Sequence, residues 1–216
     1  MYGTQRTGVR VVLTNVSKPS RIDDYSAWYD SYGAGLLKPG YLANDYRFEN
    51  PNAIGDDSDP RFAAIYDIVT PDPATAWPDT ENSSDYPRDL FRDPRSGLVS
   101  PVFRASYALV GTQLASEEHG PLTGVYLALT DGSDDTSRQQ WASRVLDTGF
   151  FFAVSRLRVI EGFPQPAEWL EIFETDQHDG LGAHTKALTA LEPDSPDDGV
   201  RNRRAGSFEL VSVAKT

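Results

Sequence analysis

The chain has 216 residues, contains no cysteine and carries a formal net charge of −12. This length allows one large domain or two small ones, with roughly 70% of the unfolded chain's surface buried. The lack of cysteine excludes disulfides and thiolate chemistry, and the acidic balance disfavours phosphate-rich partners such as nucleic acids. Neither a signal-peptide core nor an apolar run of about 20 residues is present, so we expect a cytoplasmic protein without membrane contacts.

The first half of the chain predicts two helices and four strands in the order β-α-β-β-α-β. Short runs rich in Val, Ile and aromatic residues indicate the strands. Ser20 is the expected N-cap of the first helix, and Pro39 with Gly40 ends that helix. Prolines weaken the second helix, over residues 72–82, and a long polar loop is expected over 83–101. The four predicted strands are 9–16, 41–49, 62–69 and 103–114.

The second half repeats this order of elements. Three short runs match between the halves, and they occur in the same order along the chain. An internal repeat of this kind outranks local signals when a fold is assigned. The matched runs are 11–15 with 127–131, 62–67 with 169–174, and 106–110 with 207–211. The predicted strands of the second half are 125–130, 151–160, 169–175 and 207–213, and its helices are 134–147 and 181–191.

Each half is therefore predicted to be a ferredoxin-like unit, in which two helices cover one face of a four-stranded sheet. The other sheet face needs a partner, and a second copy in the same chain supplies one. The expected fold class is α+β: two tandem ferredoxin-like repeats, residues 1–116 and 117–216, whose sheets form one intramolecular barrel. The expected assembly is a monomeric pseudo-dimer or a homodimer.

The first helix and the strand after it carry a familiar series of residues. The stretch Trp28-Tyr29-Asp30 is followed by a Pro-Gly step and by a strand that contains Tyr-Arg. This series resembles the dimeric α/β-barrel superfamily. The resemblance implies the barrel fold and a ligand site in the cleft between the sheet and its helices. The superfamily commonly places a histidine three residues after the aspartate. Here that position is Gly33, so no role of that histidine carries over.

A second resemblance concerns the strand around Glu171 and the helix that contains His184. This strand-to-helix step is similar to that of antibiotic-biosynthesis-type monooxygenases, a branch of the same superfamily. Haem-degrading members of that branch use a helical histidine near this position as an iron ligand. The resemblance therefore implies haem as an alternative cofactor, with His184 on the iron. The superfamily also includes isomerases, cyclases, dehydratases and cofactor-free oxygenases.

An aromatic stripe is predicted on one face of the first helix. Tyr25, Tyr29 and Tyr32 are three or four residues apart, and Trp28 lies beside them. Phenols aimed at a sheet would line a pocket for a flat, partly polar ligand that satisfies their hydroxyl groups. Tyr29 is in addition a catalytic candidate. Ordinary packing of an amphipathic helix is the alternative. Trp141, the helical tryptophan of the second half, is the candidate for substrate binding there.

Two further side chains are candidates for acid–base chemistry. His184 shares a helical stripe with leucines and should face the core. It would act there as a base or a ligand anchor, or would bond to a backbone carbonyl group. Asp30 would act as a general base or substrate anchor, or would pair with Arg47. With no cysteine and no paired histidine spacing, a closed zinc site is not expected.

Acidic residues inside the predicted strands form a further group. Alternation along a strand assigns each acid to one face of its sheet. Barrel or interface structure is their expected role, in pairs such as Asp45 with Arg156 and Glu171 with Arg158.

The predicted function is that of a cofactor-independent enzyme that acts on a small apolar, aromatic or polyketide-like molecule. Acid–base chemistry such as isomerisation, cyclisation, dehydration or oxygenation would be its reaction. The tyrosine stripe would line one cleft and His184 would serve the other, with at most one cleft catalytic. Two alternatives stay open: a haem-binding or haem-degrading barrel protein, and a non-catalytic protein that binds small molecules.

Overall fold

The computed structural model describes residues 5–115, 118–132, 134–177, 179, 181–191 and 201–215. Within these ranges, each half follows the predicted order β-α-β-β-α-β. The strands are β1 (Gly8–Val16), β2 (Leu42–Glu49), β3 (Phe62–Ile68), β4 (Val99–Leu114), β5 (Gly124–Asp131), β6 (Ala153–Phe163), β7 (Trp169–Thr175) and β8 (Arg201–Lys215). The helices are α1 (Ile22–Leu37), α2 (Ala76–Asn82), α3 (Asp135–Asp147) and α4 (Ala183–Leu191).

The start of α1 differs from the prediction. Ser20 does not cap this helix but lies in a 3-10 helix, Pro19–Arg21, and α1 begins at Ile22 without a side-chain cap. Pro19 occupies the first helical position, where its fixed φ favours a turn, so the chain turns before Ser20 can act as a cap. The end of α1 agrees with the prediction, because Gly40 adopts a φ of 83° just beyond the helix.

The segment expected to be a loop over 83–101 is partly regular. It contains two 3-10 helices, Arg88–Arg92 and Pro94–Leu98, and β4 begins within it at Val99. Proline fixes φ near the helical value, so a chain interrupted by prolines forms short helical turns readily. The polar composition obscured this regularity in the sequence.

The last strand begins at Arg201 rather than at residue 207. In its ladder with β5, Asn202 lies opposite Thr130 and Arg204 lies opposite Leu129. Backbone N–H and C=O groups form such a ladder whatever the side chains are. A basic run that indicated no strand in the sequence can therefore extend β8.

The sheet of the first repeat has the antiparallel order β4-β1-β3-β2. Tyr66 of β3 lies opposite Arg10 of β1 and opposite Asp45 of β2. Directly opposite residues share a face of the sheet. Helix α1 covers this face, because a Cβ atom at Gly33 would lie 1.7 Å from the Asp45 carboxylate.

The sheet of the second repeat has the order β8-β5-β7-β6, and its register repeats that of the first. Phe173 lies opposite Tyr126, as Tyr66 lies opposite Arg10. Tyr107 of β4 lies opposite Val9 of β1, and Phe208 of β8 lies opposite the equivalent residue of β5, Val125. The internal repeat inferred from the sequence is thus confirmed by strand pairing.

The described residues divide into two compact units. The first-repeat unit contains residues 5–108, 160–166 and 211–215, and the second-repeat unit contains residues 109–159 and 167–210. The hydrogen-bonded strand order over the chain is β1-β3-β2-β8-β5-β7-β6-β4, a closed antiparallel barrel. The predicted fold class is therefore confirmed. The boundary between residues 116 and 117 stays a prediction.

Each unit has its own apolar layer between helices and sheet. In the first-repeat unit, Tyr25, Trp28 and Leu36 of α1 pack on Phe62 and Ile68 of β3. Removal of this apolar surface from water holds α1 against the sheet. No helix of the described residues is long and apolar enough to cross a membrane.

Candidate functional site

A cavity of about 260 Å³ lies in the first-repeat unit, bordered by α1, by β1 and β3 and by the chain between α2 and β4. Its walls are mainly aromatic. Helical spacing on α1 aims three of these rings at the sheet, and the 3-10 segment adds one from the opposite side. The six aromatic lining residues are Trp28, Tyr29, Tyr32, Tyr66, Trp77 and Phe91.

Contacts among these rings hold the cavity walls in place. Trp28 and Tyr32 stack with ring centroids 4.9 Å apart, and Tyr32 meets Phe91 edge-on at 5.3 Å. Trp28 Nε1 donates to the carbonyl oxygen of Leu90 at 2.9 Å. The 3-10 segment is therefore bound to α1 beside the cavity rather than merely covering it.

The cavity phenols are hydrogen-bond donors at neutral pH. Burial is the main cause that raises the pKa of Tyr29, Tyr32 and Tyr66 well above the ordinary 10.0. The negative charge of Asp45 raises the pKa of Tyr29 and Tyr66 further. Tyr66 donates its hydroxyl to that of Tyr29 across 3.4 Å, a long and weak contact. A ligand oxygen would find neutral phenol groups here.

Tyr25 belongs to the same helical stripe but is not among the residues that line the cavity. Its hydroxyl lies 2.6 Å from Thr14 Oγ1, and burial raises its pKa to about 12. The protein itself thus satisfies this phenol, as the packing alternative anticipates. Contact of Tyr25 with a substrate stays a prediction.

Arg10 places a buried cation at the cavity wall. Its guanidinium group lies over the ring of Trp77, 3.7 Å from the centroid. Nη1 donates to Ser106 Oγ at 2.8 Å and to Glu161 Oε1 at 3.2 Å, whereas Nε is buried without a hydrogen-bond partner. Burial lowers the pKa of Arg10, and the nearby charge of Arg104 lowers it too. The charge of Glu161 raises the pKa of Arg10, but burial has the larger effect.

Arg104 of β4 is a second cation at the cavity. It is exposed to solvent, and it makes no ion pair within the described ranges of the chain. The described lining of the cavity includes these two arginines and no aspartate or glutamate. Because the whole chain carries a net charge of −12, this local excess of positive charge contrasts with the protein around it.

Asp45 is a buried carboxyl group beneath α1. Only 1% of the residue is exposed, Oδ1 has no hydrogen-bond partner, and burial raises its pKa to about 7. Arg47 lowers this pKa and Asp30 raises it, both to a smaller extent than burial. The carboxylate occupies space that a side chain at position 33 would need, which explains why α1 has Gly33 there.

Asp30 forms the ion pair with Arg47 that the sequence offered as the alternative to a catalytic role. Arg47 Nη1 donates to Asp30 Oδ1 and, at 3.2 Å, to the carbonyl oxygen of Ser26. The Asp30 side chain is 58% exposed and is not among the cavity residues. A catalytic role for Asp30 stays a prediction, and this geometry describes a helix-to-strand ion pair.

The predicted acid–arginine pairs of the strands are wrong. Arg156 donates to Asp135 of α3, not to Asp45, and Arg158 donates to Glu168 at 2.8 Å, not to Glu171. The helix-facing side of each sheet holds these side chains, so their partners come from the helices and from neighbouring loops. Arg156 occupies the place in β6 that Arg47 occupies in β2, which makes the two helix-to-strand ion pairs counterparts.

The second-repeat unit contains His184 and Trp141. The imidazole of His184 stacks on the Tyr126 ring, with centroids 3.3 Å apart, and burial lowers its pKa to about 4. Trp141 is half-buried against the apolar layer of this unit, with the Arg144 guanidinium 5.8 Å from its ring centroid. His184 therefore belongs to another unit than the stripe of Tyr29, and it is neutral at pH 7.

His184 has no side-chain or backbone partner of the kind that usually orients a metal-binding imidazole within the described residues. A neutral imidazole can bind iron, but metal-binding histidines almost always donate their other ring nitrogen to a carboxylate, carbonyl or water. Within the described part of the chain no hydrogen bond to His184 is formed, and its ring face is covered by Tyr126. We derive no chemical step through haem.

Sequence reasoning missed several residues of the cavity. Arg10 could have been recognised as a candidate site residue, since it places a charge within the otherwise apolar strand over 9–16. Trp77 and Phe91 lie in the segment that was expected to be a broken helix and a loop, where no periodicity marks a common face. For Asp45 the sequence predicts a role in barrel structure, because alternation alone does not show that a helix leaves a carboxylate unpaired.

No protein-family model matches the sequence, and no curated protein matches it. Solved structures do match over nearly the whole chain. A candidate monooxygenase from Fusobacterium nucleatum subsp. nucleatum is 10% identical with a TM-score of 0.58, covering 100% of this chain and 96% of the other. A mutant chlorite dismutase from Candidatus Nitrospira defluvii is 9% identical with a TM-score of 0.59, covering 97% and 92%.

An anthrone oxidase-like protein is also similar, with 8% identity, a TM-score of 0.55 and coverage of 97% of this chain and 93% of the other. Such low identities show the fold alone. The chain thus has the dimeric α/β-barrel fold in its tandem, two-repeat form, as the sequence resemblance implied.

Proposed function

We propose that the cavity of the first-repeat unit binds a small aromatic molecule and that the chain transforms it by acid–base chemistry without a cofactor. The observation that carries this proposal is the cavity itself, walled by six aromatic rings and two guanidinium groups. An apolar cavity of about 150 Å³ accepts benzene. The volume here, about 260 Å³, suits a molecule with one or two rings.

The wall chemistry supports stabilisation of negative charge on a ligand oxygen. Tyr29, Tyr32 and Tyr66 are neutral donors, and Arg10 and Arg104 are fixed positive charges. In a site that excludes water, preorganised donors of this kind lower the energy of an enolate or phenolate. The step shared by the predicted reactions is removal of a proton, after which the bonding electrons stay on the ligand.

We assign the proton acceptor to Asp45. No hydrogen bond joins its carboxyl group to Tyr29 or Tyr66 among the described residues, so one of these phenols must turn towards it. The phenol oxygen then takes the ligand's proton, and the phenol's own proton passes to the carboxylate. Tyr66 lines the cavity and lies directly opposite Asp45 in the sheet, and its hydroxyl contacts that of Tyr29. A carboxyl group whose pKa is about 7 accepts and releases protons near neutral pH. Reaction of the resulting anion with dioxygen, which supplies the oxygen atom and accepts the electrons, is one outcome that fits, since an anthrone oxidase-like protein shares the fold.

A non-catalytic binding function is the second candidate. One observation favours it: the described residues that line the cavity include no carboxylate and no imidazole. A binding protein needs only the aromatic walls and the arginines, whereas an enzyme needs the proton path to Asp45 as well. A measurement of turnover by the wild-type protein therefore distinguishes an enzyme from a binding protein.

A cavity-filling substitution tests the proposed function. Val12 lines the cavity from β1 and is half-buried, so Val12→Phe would place a ring in the ligand's space. Val159→Phe is the matched control, at a half-buried strand position of the second-repeat unit. Each protein is incubated with one- and two-ring hydroxyaryl ketones and acids, and products are detected by liquid chromatography and mass spectrometry.

We expect wild type and Val159→Phe to bind and convert the same compound and Val12→Phe to do neither. Conversion that Val12→Phe leaves unchanged would contradict the proposed site. Binding without any conversion by wild type would leave the non-catalytic candidate. Wild-type protein that binds none of these compounds would remove both.

A further inference from the structure

We propose that the ligand of this cavity is an aromatic carboxylate, with its carboxylate group on Nη2 of the Arg10 guanidinium and its ring against the aromatic wall. This inference rests on the proposed function, which requires only that a small aromatic molecule binds. It adds the charge and the position of the ligand's polar group.

Arg10 Nη2 carries the first step. The residue is 95% buried, because only 5% of its surface is exposed. Its Nη1 is occupied by Ser106 and Glu161, so those contacts hold the guanidinium group in one orientation. On the opposite edge, Nε is too enclosed for a ligand atom to reach it, whereas Nη2 makes no hydrogen bond in the described part of the chain. Nη2 is therefore the donor that this guanidinium group offers to a carboxylate oxygen, in a charge-assisted hydrogen bond.

The charge around the cavity gives the second step. Arg104 stands at the same cavity without an ion-pair partner among the described residues, and the described lining contains no acid. Two like charges in one wall repel each other, and their mutual repulsion is relieved when an anion binds between them. Glu161 neutralises Arg10 only partly, because its own side chain is 43% exposed and therefore solvated.

The aromatic wall gives the third step. Trp77 covers one face of the Arg10 guanidinium at 3.7 Å, so a ligand cannot stack on that face. The adjoining surface is formed by Tyr29, Tyr32 and Tyr66, so a ring attached to the carboxylate would lie against phenol rings. A free inorganic anion would leave this apolar part of the cavity unfilled.

Isothermal titration calorimetry with three probes tests the inference. The probes are 2-naphthoate, its neutral isostere 2-naphthamide, and acetate, which has the charge without the ring. We expect wild type to bind 2-naphthoate about tenfold or more tightly than 2-naphthamide, as a charge-assisted pair requires, and to bind acetate far more weakly. Arg104→Gln should lower the affinity for 2-naphthoate about tenfold and leave that for 2-naphthamide unchanged.

Arg10→Lys keeps a charge but removes Nη2 and the fixed orientation of the guanidinium group, so it should abolish most of the preference for 2-naphthoate. Arg21→Gln is the control, since Arg21 is an exposed arginine whose hydrogen bond goes to Asp24, away from the cavity lining. Equal affinity of wild type for the acid and the amide would overturn the inference and leave the proposed function intact. The inference would also be overturned if the preference for 2-naphthoate persisted in both Arg104→Gln and Arg10→Lys. Binding of acetate as tight as that of 2-naphthoate would overturn it too. Failure of both naphthyl probes to bind would count against the proposed function, and the inference would fall with it.

Discussion

The two repeats differ most at single positions on the helix-facing side of the sheet. Strand register makes Arg10 the counterpart of Tyr126 and Asp45 the counterpart of Val154. The first repeat thus holds a cation and an acid where the second holds a phenol and an aliphatic side chain. These two replacements account for the chemical contrast between an arginine-lined cavity and a stacked His184–Tyr126 pair.

Asp45 should make the stability of the protein depend on pH. Its folded pKa, about 7, lies above the ordinary value of 3.8, so the folded state holds a proton that the unfolded state loses first. The contribution of Asp45 to stability is therefore full below about pH 4, falls as the pH rises towards 7, and levels off above that. Asp45→Asn should remove a dependence on the order of 4 kcal/mol.

Urea unfolding of both proteins across this pH range measures the effect. Asp89→Asn serves as control, because the side chain of Asp89 is 93% exposed. A wild-type curve that is parallel to that of Asp45→Asn at every pH would show that Asp45 is ionised as easily in the folded protein as in the unfolded chain.

At the scale of elements, α1 and β2 are fitted to each other at one glycine. A Cβ atom at Gly33 would lie 1.7 Å from Asp45 Oδ2 and 2.8 Å from its Cγ, and Asp45 is enclosed on all sides. We expect Gly33→Ala to lower the free energy of unfolding by about 2 kcal/mol, as overpacking does. Helix propensity alone would act in the opposite direction, since alanine favours a helix.

Gly97→Ala is the control for this substitution, because nothing lies within 4 Å of a Cβ atom there. Thermal unfolding compares the two variants. In an Asp45→Ala background, Gly33→Ala should lower the free energy of unfolding much less, since the clashing carboxylate is absent. If the cost is the same in both backgrounds, the close approach of α1 to Asp45 is not its cause.

The elements also show how far the sequence could be interpreted. Alternating and apolar runs predicted all eight described strands within a few residues, apart from the basic start of β8, because burial leaves a periodic trace. The stripe of Tyr29 and Tyr32 was placed correctly against a sheet for the same reason. Trp77 and Phe91 could not be assigned, since 3-10 turns and prolines have no period that indicates which side faces a cavity.

For the whole molecule, duplication provides two copies of one scaffold and leaves their helix-facing surfaces free to differ. The ladders keep the same register in both repeats, because backbone pairing and apolar alternation suffice to build them. The sequence predicted this duplication and predicted unequal clefts. The fold, shared with proteins of unrelated sequence, does not itself determine the reaction.

The central claim is that the first-repeat cavity is the ligand site. A crystal structure of the protein with 2-naphthoate tests it most directly. We predict that the naphthyl ring lies against Tyr29 and Tyr66 and that a carboxylate oxygen lies within hydrogen-bond distance of Arg10 Nη2. Ligand density beside His184, with the first-repeat cavity empty, would contradict the claim.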